Sequence, residues 1–289
     1  MKPEHIHFPD LIGIGMRKTG TSFLAGLLGQ HPDIALANPR ITNFWITPEL
    51  NGKYDRFFPN LKPGQKTLEW GEYTMHPIAL EHFSRLGQQA TYLLSYRSPK
   101  SILFSYYNYA RMLAAPSERK ITFEHSFNKD QGTYLELVKL DMKLHSFREA
   151  CPTARIIVID YEYLIRDSSG LIRDLFKAIG VRDYSADIAS TWTNESMVPK
   201  SVLLDRAWRK ALRTMYPGKN FRKNNDPKMP RLFRLIQKLN TERSYMDEKM
   251  SQYIDETFSE NHGAFLDSCE SDPNIIHLSK NNGHMFNSE

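Results

Sequence analysis

The chain has 289 residues, 40% of them hydrophobic, with a formal net charge of +5 and only two cysteines, Cys151 and Cys269. That length and composition suit one large folded domain, and they exclude a disulfide framework, a low-complexity polymer and a bilayer-spanning protein, which needs about 20 consecutive apolar residues. The polar first ten residues leave no space for the apolar core of a signal peptide, so a cytoplasmic setting with reduced thiols is expected.

Taken in chain order, an apolar run at 10–15 reads as a strand. It leads into Gly15-Met16-Arg17-Lys18-Thr19-Gly20-Thr21-Ser22 and then a helix over 21–30. Strand, glycine loop and helix start together cradle phosphates, because the first N–H groups of a helix are unsatisfied and its dipole favours an anion. The spacing is close to that of a Walker A loop, but Thr21 stands where its lysine belongs, and Lys18 lies inside the loop instead. A phosphate binder other than an ordinary NTPase is expected.

Further strands are predicted at 66–70, 90–97 and 155–160, the last two apolar enough to be buried on both faces. Helical patterns fill 77–86, 99–112, 132–150 and 168–179. Pro77 and Pro99 sit where a first turn tolerates proline, and Gly180 serves as a helix stop. Strands alternating with helices predict an α/β, three-layer sandwich around a central parallel sheet of about five strands. Long loops are expected at 38–64, 114–129 and 217–230, and helices near 201–215, 229–240 and 246–266. We read the whole of 1–289 as a single domain: an α/β core over about 8–205, a helical part over 206–272, and a polar, poorly ordered tail at 273–289.

Between Lys200 and Arg243, thirteen basic residues stand against three acidic ones, and from Ser244 onward two lysines stand against nine acidic residues. Such a stretch is either a solvated helical face or an electropositive rim for an anionic ligand. It has no recognised nucleic-acid motif, so no nucleic-acid partner is expected. Nor does any Cys/His spacing suggest a metal.

The segment Tyr92-Leu93-Leu94-Ser95-Tyr96-Arg97-Ser98-Pro99 ends a buried strand on an arginine, with Ser105 eight residues on in the following helix. An arginine fork and a serine hydroxyl placed this way can share one phosphate. Together the two sites resemble the PAPS-dependent sulfotransferases. Lys18-Thr19-Gly20-Thr21 matches that family's 5′-phosphosulfate loop, and Arg97 with Ser105 matches its 3′-phosphate site. Tyr161-Glu162-Tyr163-Leu164 at the end of a strand, the helix and glycine stop over 174–181, and the segment 194–201 are also similar, the last to bacterial members. The resemblance covers roughly residues 8–205 and extends to the heparan sulfate and carbohydrate branch.

It implies a P-loop-like sulfotransferase fold, PAPS as donor, no metal, and a small-molecule or saccharide acceptor, with carbohydrate weakly preferred. Lys18 would stabilise the leaving 5′-phosphate. Arg17, Lys18, Thr19, Gly20, Thr21 and Ser22 would hold the phosphosulfate, and Arg97 and Ser105 the 3′-phosphate. Lys219 and Arg222 would close over the donor, and Tyr134 or Trp192 would stack on adenine. The carbohydrate branch places a glutamate before a Phe-Phe pair, but here Asn38-Pro39-Arg40-Ile41-Thr42-Asn43-Phe44-Trp45 offers no carboxylate. His76 and Glu72 are the candidate bases in its place, with His76 preferred. Two alternatives stand beside this reading. One is a P-loop kinase or NTPase, with 156–160 resembling a Walker B strand. The other is a binding protein, such as an inactive PAPS-binding relative.

Overall fold

The structure is a computed structural model that describes residues 9–47, 54–114, 121–185, 198–217, 230–242 and 246–279. Its described residues form two compact units, one built from the segments up to Ser98, from Leu137 to 185 and from Phe258 onward, the other from Pro99–Glu136 and from 198 to Thr257.

The first unit holds a six-stranded parallel sheet in the order β2-β3-β1-β4-β5-β8. These strands are β1 (Leu11–Gly15), β2 (Ile34–Leu36), β3 (Lys66–Trp70), β4 (Thr91–Tyr96), β5 (Arg155–Asp160) and β8 (Ile275–Leu278). Every residue of β1 is buried, as are the last five of β4 and of β5. Alternate side chains on each strand therefore meet cover on opposite faces, which is why these segments read as continuous apolar runs.

One face packs Ile12, Ile14, Tyr92, Leu94, Ile156 and Val158 against α2 (Pro77–Leu86), α6 (Leu140–Ala150) and the end of α11 (Glu248–Ser271). Around this core α1 (Thr21–Leu28), α7 (Tyr161–Arg166) and α8 (Ser168–Ile179) complete the unit. Local chemistry sets the helix ends. Pro77 opens α2, Asp167 caps α8 by accepting from Gly170 N at 2.8 Å, and Gly180 stops α8 in the left-handed region at φ 71°.

The second unit holds α3 (Pro99–Leu113), α4 (Phe123–Lys129), most of α5 (Gln131–Val138), α9 (Val202–Met215), α10 (Arg231–Leu239) and an antiparallel pair of two-residue strands, β6 (Val198–Pro199) and β7 (Thr241–Glu242). Trp208, Leu212 and Phe233 join α9 to α10.

The structure departs from the sequence reading in several places. The sheet has six strands because β2 is only three residues long and follows a turn at His31-Pro32-Asp33, too short for periodicity to reveal. β8 lies in the segment expected to be poorly ordered, where Ile275, Ile276 and Leu278 line up beside Ile156, Ile157 and Ile159 of β5 and His277 accepts or donates a 2.9 Å hydrogen bond with the Tyr96 hydroxyl. The helix expected over 132–150 breaks at Lys139, whose ψ of 58° is not helical. The loop expected at 114–129 contains α4, capped by Thr122, which accepts from His125 N at 3.2 Å.

Because β1 to β5 are parallel, the segments after β1, β2, β3, β4 and β5 all leave from one edge of the sheet. Carboxyl edges of this kind are where α/β sheets bind ligands.

Candidate functional site

The loop between β1 and α1 forms at that edge. Phe23 N and Leu24 N donate to Gly20 O at 2.9 and 3.0 Å, so the N–H groups of Thr21 and Ser22 precede the helical ladder. Among the described residues no side chain caps the start of α1. Gly20 is required twice over: its φ is 81°, and a Cβ there would lie 2.7 Å from the Tyr161 ring. Lys18 also takes a left-handed conformation, φ 68°, of the kind that a non-glycine residue holds at some cost.

Inside the loop, side chains divide between frame and surface. Thr19 is fully buried, its hydroxyl 2.6 Å from Met16 O and 2.6 Å from Ser95 Oγ of β4. Its side chain is therefore used to hold the loop, and only its backbone N–H can serve a ligand. Arg17 is exposed and pairs with Glu72, which follows β3, at 3.0 Å.

Lys18 is pressed between cations. Burial first, then the charges of Arg97 and Arg17, push its ammonium pKa down to about 8. Arg97, one residue beyond β4, lies over the Tyr161 ring at 4.2 Å and reaches Lys18 O at 3.5 Å. Tyr161 thus touches both Gly20 and Arg97. Glu162 beside it accepts from Ser98 Oγ at 3.1 Å.

The segment after β2 completes this edge. Arg40 Nη2 donates to Ser22 Oγ at 3.2 Å, and Arg40 O accepts from Trp70 N at 3.1 Å. Behind it lies Glu69 of β3, fully buried, accepting hydrogen bonds from the Thr42 hydroxyl and the Trp45 indole N–H. Burial pushes the Glu69 carboxyl up to about 7, against the pull of those donors. The hydroxyls of Tyr54 and Tyr73 are close enough to be raised well above the usual phenol range by burial and by that carboxylate.

Of the expected site residues, Arg17, Lys18, Thr19, Gly20, Thr21, Ser22, Glu72, His76 and Arg97 all fall on this edge of the first unit. Glu72 faces Arg17. His76 precedes α2 and has a buried ring Nδ1 with no hydrogen-bond partner among the described residues. Ser105 is buried on the second turn of α3, in the second unit. Tyr134 is a core residue of that unit, bonded to Ser126 at 2.8 Å and packed on Phe123 and Phe127. Lys219, Arg222 and Trp192 lie outside the described residues. Asp160, the Walker B candidate, caps α7 by accepting from Glu162 N at 2.8 Å.

Sequence reasoning gave no role to Arg40, Glu69 or Tyr161. The one available signal was a glutamate inside an otherwise strand-like run, Lys66-Thr67-Leu68-Glu69-Trp70. Among the described residues no group of three or more His, Cys, Asp or Glu side chains is placed to hold a metal, and no helix is long and apolar enough to cross a membrane.

The sequence profile of the sulfotransferase domain matches residues 8–265. No match was found among curated protein sequences. A crystal structure of a sulfotransferase from Alicyclobacillus acidocaldarius is similar, with 18% identity over 71% of this chain and 92% of that one and a TM-score of 0.52. A mouse sulfotransferase, SULT7A1, solved as a complex with PAP, aligns at 16% identity over 91% of this chain and 89% of that one, with a TM-score of 0.47.

Proposed function

The chain belongs to the sulfotransferase-domain family, and we propose that it moves a sulfuryl group from PAPS to a hydroxyl on a carbohydrate or similarly polar acceptor. The observation that carries this reading is the crowding of Lys18 by Arg97 and Arg17 at the uncapped start of α1. Three cationic side chains grouped here favour an anion, and the helix end favours the same charge.

The residues fit such a donor. The N–H groups of Thr21 and Ser22, with Lys18, suit the 5′-phosphate. Arg97, held by Tyr161, suits the 3′-phosphate. In the transfer the acceptor oxygen forms a bond to sulfur while the bond from sulfur to the 5′-phosphate oxygen breaks, leaving PAP and a sulfate ester. Negative charge grows on the departing oxygen, where the Lys18 ammonium stabilises it. The acceptor proton goes to a base. Glu72 is already paired with Arg17, whereas the His76 ring has a buried nitrogen with no partner among the described residues, which supports His76 in that role.

The kinase alternative is weakened by two features: Thr21 stands where the phosphate-binding lysine of a Walker A loop belongs, and Asp160 is engaged as a helix cap. Radiolabelled PAPS offered with saccharide and phenol acceptors tests the proposal. Label entering a saccharide is the expected result. Label entering only phenols would refute the acceptor class, and no transfer to any acceptor, with PAP still bound, would indicate an inactive donor-binding relative.

A further inference from the structure

Arg40 and Arg97 reach the β1–α1 loop from opposite flanks. In the sheet order β2-β3-β1-β4, Arg40 follows β2 and Arg97 follows β4. Arg40 is also held in place from two directions. Its carbonyl accepts from Trp70 N at 3.1 Å, and the residues just after it are tied to Glu69 through Thr42 and Trp45. Its guanidinium, partly open to solvent, gives one hydrogen bond to Ser22 Oγ at 3.2 Å, and among the described residues no carboxylate pairs with it. A guanidinium has five N–H donors in a fixed fork. Held at the start of a helix, where the dipole is already positive, a fork with most of its donors turned to solvent suits an anionic ligand.

The donor has a direction in this frame. Its 3′-phosphate belongs on the β4 flank with Arg97, and its 5′-phosphate belongs at the helix start. The remaining anionic group, the sulfuryl, then projects toward the β3 and β2 flank. Glu72 and His76, the two candidate bases, both follow β3, so the acceptor oxygen approaches from that flank too. We propose that Arg40 binds the equatorial oxygens of the transferring sulfuryl group and stabilises them during transfer, an assignment that rests on the PAPS reading above. The buried Glu69 acts through the 40–45 segment as the positioning residue that keeps Arg40 in register with Ser22.

PAP and PAPS differ by that one group, so comparing them tests the assignment. Calorimetry on the full chain should show Arg40→Gln binding PAP within about twofold of wild type but PAPS roughly tenfold more weakly, with kcat down about 100-fold, a loss typical of removing one charge-stabilising donor. Arg40→Lys, which keeps the charge without the fork, should recover part of the PAPS affinity, and it supplies the test if Arg40→Gln does not fold. Equal weakening of PAP and PAPS would make Arg40 a 5′-phosphate ligand and overturn the assignment, as would unchanged PAPS affinity and kcat. A wild-type chain that binds neither nucleotide would refute the donor reading itself, a distinct result from wild-type binding with no PAPS-selective loss.

Discussion

Two segments meet at the start of α1, and they are held there by opposite means. The loop at 15–22 is shaped mostly by local requirements: a left-handed Gly20, a left-handed Lys18 and the first turn of a helix. The segment at 38–47 is shaped from a distance. Its Thr42 and Trp45 hang on Glu69, 27 and 24 residues further along the chain, and its Arg40 reaches back 18 residues to Ser22. The local device presents backbone N–H groups, which suit any phosphate. The long-range device presents one arginine on a segment anchored to a buried carboxylate.

The largest expected effect separates chemistry from framework. Lys18→Ala should cut turnover by roughly 100- to 1000-fold while weakening PAP binding much less, read from kcat beside calorimetry. If turnover survived, the loop would be a framework only.

Next comes the framework of the local device. Gly20→Ala meets both a left-handed backbone and the Tyr161 ring, and should cost about 1–3 kcal/mol of stability in denaturant unfolding. Tyr161→Ala removes the ring contact while leaving the backbone strain, so the double variant Gly20→Ala/Tyr161→Ala should be less destabilised than the sum of the two single changes. Simple additivity would mean that the ring contact does not matter.

The long-range device has a pH signature. The Glu69 carboxyl is pushed up to about 7 in the folded chain from an ordinary value of 4.5. Between those values the folded state holds the proton more firmly than the unfolded one. Its contribution to stability is complete below about pH 4.5 and is lost as pH rises through 7. Glu69→Gln, which cannot titrate, should flatten the fall in Tm between pH 5 and 8. An unchanged slope would show that Glu69 is not the group responsible.

The smallest effect belongs to the rim. Arg17 and Glu72 are each about half exposed, at 51% and 45%, and such pairs contribute at most about 1 kcal/mol. Arg17→Ala should leave Tm nearly unchanged and raise the Lys18 pKa, since one of the charges lowering it is gone. NMR titration of the lysine would read that shift directly.

The same contrast explains how much could be read from the sequence. The glycine loop, the four longer parallel strands, the Pro77 start and the Gly180 stop follow from residue types within a few positions of one another. The strands β2 and β8 were invisible because three or four residues carry no period of their own and pair only once the sheet exists. Glu69 was overlooked for a related reason. A carboxylate in a strand reads as a solvent-facing position, and donors brought in by the fold, Thr42 and Trp45 among them, make its burial tolerable. Arg40 could be seen within a motif that lacks its expected glutamate, but nothing local tied it to Ser22.

The central claim is that this edge of the sheet is a two-phosphate site for a sulfuryl donor. Calorimetric binding of 3′,5′-adenosine bisphosphate, beside ATP with Mg2+, tests it most directly. The account predicts tight binding of the bisphosphate and weak or no binding of Mg-ATP, with the bisphosphate affinity falling as pH rises above about 8, where the free Lys18 loses its proton. Preferential binding of Mg-ATP would contradict it and move the protein toward nucleotide-dependent phosphoryl transfer.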